Sequence, residues 1–212
     1  MVEYIVPTNI DDRLLSKGVR ILSAGGLIAL PTDTSWSIIC SYKSREGIKK
    51  LRAISRERDE HHFTLLCSEL SQLSGLCNID NSRFRLINRL TPGPYVFILK
   101  TLLTTEKALH LQRKEIGIRM PDNPVPIALI NALDAPLYSI TAKRAMISPP
   151  VTEDTGEPED MLFDSGWELE DIAGLDLVLD TGEDQARIFS TVLDISGDEV
   201  AVIRAGAGMW PR

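Results

Sequence analysis

The sequence predicts an α/β fold built on a mixed, twisted sheet with flanking helices. Apolar strand-like runs and amphipathic helix-like runs alternate along the chain, the order expected of layered α/β proteins. Two late strands, Thr191–Ile195 and Val200–Arg204, are close enough to form a hairpin across Gly197-Asp198, so some of the pairing must be antiparallel. The chain has 212 residues, 43% of them hydrophobic, which fits one large domain or one domain with an appendage.

The elements follow in order. Asn9-Ile10-Asp11-Asp12 offers cap residues to an amphipathic run with Leu14, Leu15, Val19 and Leu22, and Gly25-Gly26 ends it. Leu27–Leu30 reads as an apolar strand, Pro31-Thr32-Asp33-Thr34 as a turn, and the run through Cys40 with Trp36 as a second strand. Ser44 can cap a helix through about Ser55, with Ile48, Leu51 and Ile54 on one face and its cations on the other. Phe63–Cys67 reads as a strand and Ser68–Leu76 as a short helix. A further helix over Asn81–Leu90 is expected to turn Phe84, Ile87 and Leu90 inward. Thr91-Pro92-Gly93-Pro94 breaks the pattern. Tyr95–Leu99, Ile116–Met120, Leu137–Ile140 and Leu175–Leu179 supply further strands, with a helix near Val125–Leu133. Residues 148–170, with Pro149-Pro150 and a run of acidic side chains, read as a long exposed loop or insertion.

Charge and cysteine usage narrow the functional classes. A net charge of −7 argues against wholesale coating of nucleic acid, which relies on surplus cations. The charge is nevertheless segregated. Lys43, Arg45, Lys49, Lys50, Arg52, Arg56 and Arg58 face only Glu46 and Glu57, whereas Glu153 to Glu170 contains no Lys or Arg. Cys40, Cys67 and Cys77 lack C-x-x-C spacing, which suggests neither disulfides nor zinc, and Cys40 and Cys67 are expected as packed thiols. No apolar run approaches membrane-spanning length, and the N-terminus lacks the basic-then-apolar order of a signal peptide. A soluble cytoplasmic protein without membrane contact is expected.

Four segments place polar groups at strand ends, where open α/β sheets build their sites. Pro31–Thr34 carries two hydroxyls and a carboxylate, and is either an ordinary turn or one wall of a ligand site. Arg56-Glu57-Arg58-Asp59-Glu60-His61-His62 offers forked guanidiniums for phosphate or carboxylate, or is a solvated charge run. Adjacent His61 and His62 point opposite ways in an extended segment, so joint metal ligation is not expected. Arg119 interrupts the apolar strand before Pro121 and needs an ion-pair partner or an anionic ligand. Tyr138-Ser139-Ile140-Thr141-Ala142-Lys143 runs from alternating hydroxyls on one strand face into cations. Ser190 and Arg204 bracket the final hairpin. Together these groups describe a cavity suited to a polyanionic nucleotide and a small polar co-substrate. Walker-type, Gly-x-Gly-x-x-Gly and Gly-x-Ser-x-Gly motifs are absent.

The succession Pro31-Thr32-Asp33-Thr34, a basic loop, Pro92-Gly93-Pro94, Gly117-Ile118-Arg119-Met120-Pro121-Asp122-Asn123-Pro124, Ser139-x-Thr141 and Val202-Ile203-Arg204-x-Gly206 resembles the YrdC/YciO family of threonylcarbamoyl-adenylate synthases. The Phe63–Cys67 strand looks closest to the YciO branch. The resemblance implies one YrdC-like domain over residues 1–212, with its core near residues 10–208 and its sheet around a basic cavity. It further implies chemistry that joins L-threonine, bicarbonate and ATP into threonylcarbamoyl-AMP and pyrophosphate, feeding a modified adenosine beside the tRNA anticodon. Carried over by position, Thr32, Thr34, His61, Arg119, Ser139 and Ser190 would hold threonine and bicarbonate. Arg56, Arg58, Thr141, Lys143 and Arg204 would face the nucleotide. Mg²⁺ would accompany ATP, with no tightly bound cofactor and no covalent nucleophile, because catalysis of this kind is positioning plus charge stabilisation.

The departures from the family pattern fall mostly on the nucleotide side. Arg56-Glu57-Arg58-Asp59 stands where the synthases carry Lys-x-Arg-Pro, and Thr141-Ala142-Lys143 where they carry Ser-x-Asn. Trp36 takes the place of a usual Tyr. The alternatives are a protein binding tRNA or double-stranded RNA through Lys49, Lys50 and Arg52, and a nucleotide sensor without turnover.

Overall fold

Ten strands join into one mixed sheet, and residue alternation gives its two faces different jobs. The computed structural model describes residues 1–55, 63–109, 114–147 and 158–210. The strands are β1 (Val2–Tyr4), β2 (Ile28–Pro31), β3 (Trp36–Ser41), β4 (Thr64–Leu66), β5 (Tyr95–Lys100), β6 (Glu115–Arg119), β7 (Leu137–Thr141), β8 (Leu177–Asp180), β9 (Thr191–Asp194) and β10 (Ala201–Arg204). They lie in the order β1-β8-β2-β3-β7-β4-β6-β5-β9-β10. The pairs β1–β8, β8–β2, β4–β6 and β5–β9 are parallel and the others antiparallel, including the expected β9–β10 hairpin.

Six α-helices flank the sheet among the described residues: α1 (Asp12–Ser23), α2 (Arg45–Ser55), α3 (Asn81–Leu90), α4 (Leu103–Leu109), α5 (Pro124–Leu133) and α6 (Pro158–Met161). Their starts are chemical. The Asp11 carboxylate accepts the Arg13 amide, Asp80 accepts that of Arg83, and Asn123 accepts that of Val125 behind Pro124. The Ser44 hydroxyl accepts the Gly47 amide at 3.1 Å ahead of α2. Gly18 lets α1 approach α5, because a β-carbon there would lie 2.7 Å from Leu129 Cδ2.

Pairing register places Ser37 opposite Thr141, Ser139 opposite both Ile39 and Thr64, Thr64 opposite Gly117, and Leu66 opposite Arg119. These residues therefore share one face. The intervening residues Trp36, Ile38, Leu65, Phe97, Ile118, Tyr138 and Ile140 form the larger core on the other face, with Ile48 and Leu51 of α2 and Ile87 of α3. Each such side chain contributes about 1.5–3 kcal/mol by leaving water. On the first face, α1 and α5 seal Ile28, Leu30, Ile39, Leu66 and Leu137 with Leu22, Val125, Leu129 and Ile130. Beyond these helices the same face carries hydroxyls and cations.

The structure corrects three sequence expectations. Phe84 is 41% exposed, because the inward stripe of α3 runs through Arg83, Leu86, Ile87 and Leu90, and Arg83 Nε donates to the Ile195 carbonyl at 2.6 Å. The short helix after β4 is a 3₁₀ turn over Leu70–Gly75. The stretch read as an exposed loop is partly core from residue 162 onward: Leu162, Phe163 and Leu169 are fully buried. Arg144 stacks 5.1 Å over Phe163 and pairs with Asp164 at 3.5 Å and Glu168 at 2.5 Å, which compensates the local acidity. β1 and α4 were not anticipated. Among the described residues, no helix is long and apolar enough to cross a membrane.

Candidate functional site

The Pro31–Thr34 segment is both turn and wall. Thr32 Oγ1 accepts the Thr34 amide at 3.2 Å and the Ser35 amide at 3.3 Å, and donates to the Ser35 carbonyl at 2.7 Å. Its hydroxyl is thus largely committed to shaping the turn. Thr34 is the residue that reaches across the sheet. Its Oγ1 lies 3.0 Å from Arg119 Nη2 and 3.5 Å from Ser190 Oγ.

Arg119, at the end of β6, resolves its sequence dilemma with a partner and leaves bonding capacity over. It is only 5% exposed, and Nη2 donates to Asp33 Oδ1 at 2.5 Å. Both Arg119 Nε and Asp33 Oδ2 are buried without a hydrogen-bond partner among the described residues. Burial pulls the Arg119 guanidinium below its ordinary pKa, and the Asp33 charge opposes that shift. Arg204, on β10, is lowered by burial first and by the Arg119 charge second. Its Nε donates to the Ser190 carbonyl at 3.1 Å and its guanidinium lies 4.7 Å from the Phe189 ring. Two guanidiniums close enough to repel each other favour an anion that neutralises both.

These groups line one cleft that is open to solvent. Ser37, Thr64, Arg119, Ser139, Thr141, Lys143, Phe189, Ser190 and Arg204 border it. Ser139 Oγ donates to the Thr64 carbonyl at 2.8 Å, linking β7 to β4. Gly117 keeps the neighbouring surface low, since a β-carbon there would meet Val96 Cγ1 at 2.9 Å and Thr64 Oγ1 at 3.0 Å.

Of the residues singled out from sequence, Arg119, Ser139, Thr141, Lys143, Ser190 and Arg204 meet at this cleft, with Thr34 bonded to Arg119 beside it. Thr32 Oγ1, in the turn, lies 3.5 Å from the same Arg119 Nη2 and 3.2 Å from Thr34 Oγ1. Arg56, Arg58 and His61 fall outside the described residues. Lys49 and Lys50 are exposed on α2. Arg52 instead folds back, with Nη2 3.0 Å from the Leu109 carbonyl and its guanidinium 6.0 Å from the Phe63 ring, and so joins α2 to α4. Sequence reasoning missed Phe189 and Thr64 as lining and Gly117 as a spacer. A glycine inside a strand two residues before a buried arginine was the available signal.

Comparison with known proteins fits this geometry. The Sua5/YciO/YrdC family model, described as telomere recombination, matches residues 20–206. The uncharacterized protein YciO of Escherichia coli (strain K12) is 35% identical over 206 residues, covering 97% of this chain and 95% of YciO. Its crystal structure superimposes with a TM-score of 0.83 over 99% of this chain. A threonylcarbamoyl-AMP synthase of Xanthomonas axonopodis pv. citri (strain 306) is 29% identical over 134 residues, 62% of this chain and 72% of the synthase. The crystal structure of P. abyssi Sua5 complexed with L-threonine shares the fold, with a TM-score of 0.81 at 19% identity over 97% of this chain and 57% of the longer Sua5 chain. The strand order around the cleft and the agreement with YciO across nearly all of both chains place this protein in the Sua5/YciO/YrdC family.

Proposed function

We propose that the cleft binds L-threonine, bicarbonate and MgATP and carries threonylcarbamoyl-AMP synthase-like chemistry in the cytoplasm, in support of tRNA threonylcarbamoyladenosine formation. The observation that carries the reading is the convergence of Arg119, paired with Asp33, and Arg204 on a hydroxyl-lined cleft. The threonine amine adds to bicarbonate with loss of water, giving a carbamate. A carbamate oxygen then attacks the α-phosphorus of ATP, the bond to the bridging oxygen breaks, and pyrophosphate leaves. Arg119, Thr32, Thr34, Ser139 and Ser190 serve the amino-acid and bicarbonate side, with His61. Thr141, Lys143 and Arg204 serve the nucleotide, with Arg56 and Arg58. Mg²⁺ enters as part of the substrate. The likeness to a threonylcarbamoyl-AMP synthase and the shared fold of threonine-bound Sua5 support the reading.

Purified protein given threonine, bicarbonate, ATP and Mg²⁺ should release pyrophosphate, and omission of threonine should abolish the release. ATP binding without pyrophosphate would instead mark a nucleotide sensor. Absence of both ATP and threonine binding by calorimetry would sink the proposal. Arg56→Lys with Lys143→Asn restores the synthase residue types, and higher turnover in the double variant is the expected sign that these positions limit the rate.

A second reading, RNA binding, draws on the exposed Lys43, Arg45, Lys49 and Lys50 around α2. Affinity for tRNA or double-stranded RNA should then fall steeply with salt and with Lys49→Glu and Lys50→Glu. Binding indifferent to either change counts against it.

A further inference from the structure

Trp36 belongs to β3 but faces the large core, on the side of the sheet away from the cleft, and is fully buried. Its indole N–H donates to the Asp164 carbonyl at 3.0 Å. The same carbonyl accepts the Gln185 amide at 2.8 Å. One oxygen with two lone pairs therefore ties a core strand to the segment that leads into the cleft wall. Further along that segment the Ile188 amide reaches the Thr34 carbonyl at 3.4 Å, and the Thr191 amide reaches that of Pro94 at 2.9 Å. Between these anchors, Phe189 and Ser190 border the cleft, and both hold Arg204.

The segment is also conformationally restricted. Arg187 has φ of 47°, the left-handed region that a non-glycine residue keeps only when its surroundings determine it. The Asp164 carboxylate supplies such a restraint, with Oδ2 3.8 Å from Arg187 Nη1 and Oδ1 3.5 Å from Arg144 Nη2. Gly166 packs so closely that a β-carbon would meet Asp180 Oδ2 at 2.4 Å and Trp36 Cη2 at 2.9 Å, which fixes the strap around Asp164 against the indole. A tyrosine in place of Trp36 would carry its donor at the tip of a single ring, and the accepting carbonyl would have to lie elsewhere.

We propose that Trp36, acting through the Asp164 carbonyl, is the positioning residue for the Phe189–Ser190 wall and hence for Arg204. On the amino-acid side of the cleft Arg119 and Ser139 have a different support, since they belong to paired strands, and Ser190 alone shares the wall. Loss of the indole bond therefore loosens Arg204 and Ser190 while Arg119 and Ser139 keep their places, so the nucleotide side is affected more than the amino-acid side. That last consequence rests on the function proposed above; the assignment of the wall does not.

Trp36→Phe removes the N–H and keeps a ring in the core, and Gln185→Pro removes the other donor from a half-buried position. Hydrogen exchange followed by mass spectrometry on the ligand-free protein should show residues 185–191 exchanging about tenfold faster in both variants, the loss of roughly one hydrogen bond. β3, β7 and α5 should keep their rates. Calorimetry should show ATP binding weakened about tenfold in Trp36→Phe and threonine binding weakened only about twofold to threefold, because Ser190 alone of the threonine-side residues lies on the wall. Unchanged exchange in 185–191, or equal acceleration throughout the sheet, overturns the proposal. Should Trp36→Phe fail to fold, the exchange pattern of Gln185→Pro decides. Local acceleration in a protein that binds neither ATP nor threonine upholds the wall assignment and refutes the synthase reading alone.

Discussion

Asp33→Ala would strip the most buried cation of the cleft of its counter-charge. Arg119 is 5% exposed and its Nη2 lies 2.5 Å from Asp33 Oδ1, so little water is available to replace the carboxylate. Arg119 would also face Arg204 with less compensation. Removing one member of a buried ion pair costs about 3–5 kcal/mol. The lower end is expected here, because the Thr34 hydroxyl, 3.0 Å from Nη2, still accepts a hydrogen bond. At about 2–4 °C per kcal/mol for a chain of this size, Tm should fall by roughly 6–12 °C. Asp33→Asn keeps an acceptor and should lose about half as much. Urea unfolding followed by circular dichroism, in chloride and in phosphate buffers of equal ionic strength, measures the effect. An oxyanion in the cleft can stand in for the missing carboxylate, and a ligand at 100 times its Kd adds about 2.7 kcal/mol. Asp33→Ala should therefore gain more from phosphate than the original protein does. A loss below about 1 kcal/mol, or equal phosphate gains in both proteins, would refute the view that Asp33 is the counter-charge of Arg119 and that an oxyanion can replace it.

Other expectations concern thiols, close contacts and the basic helix. Burial pushes the Cys40 and Cys77 thiols up to about 12 and raises Cys67 as well, so a disulfide reagent at pH 8 should label none of them until urea unfolds the chain. Because the folded thiols hold their protons more tightly than unfolded ones, this contribution to stability is present below the ordinary thiol pKa. It is lost as pH rises from about 9 toward 12, and the urea midpoint should fall across that window. Gly206→Ala should destabilise more than Gly117→Ala in thermal unfolding. Its β-carbon would lie 2.2 Å from the Phe189 carbonyl oxygen, whereas that of Gly117 meets side-chain atoms that can shift for about 1–3 kcal/mol. Arg52→Ala should cost about 1–2 kcal/mol by freeing the Leu109 carbonyl and uncovering Phe63, while Lys49→Ala and Lys50→Ala stay within about 0.5 kcal/mol. Equal urea midpoints for the three variants would contradict that division of α2.

What could be read in the sequence was local. Asp11 and Ser44 announced helices because a cap bonds an amide two or three residues away. Ser139 and Thr141 announced a ligand-facing strand surface because alternation is a two-residue rule. What escaped depends on partners far along the chain. Leu162 and Phe163 look like members of an acidic loop until Arg144 stacks on and pairs with that segment. Phe84 seemed as good a core residue as Ile87, but Arg83 took the inward position to bond the Ile195 carbonyl at 2.6 Å, 112 residues away. The Arg119–Asp33 pair joins residues 86 apart, so an arginine in an apolar strand could signal a need without naming its partner.

The alternation along β7 also bears on how such a protein can diverge. Tyr138 and Ile140 point into the core while Ser139 and Thr141 border the cleft, so neighbouring codons are subject to separate selection. Changes at 139 and 141 can retune ligand preference with less disturbance to folding, and changes at 138 and 140 test folding first. A saturation library across residues 138–141, scored once for soluble yield and once for ligand retention, should therefore give two tolerance profiles offset by a single residue. Inheritance of the scaffold and drift of the chemistry then become separate histories written in the same four residues.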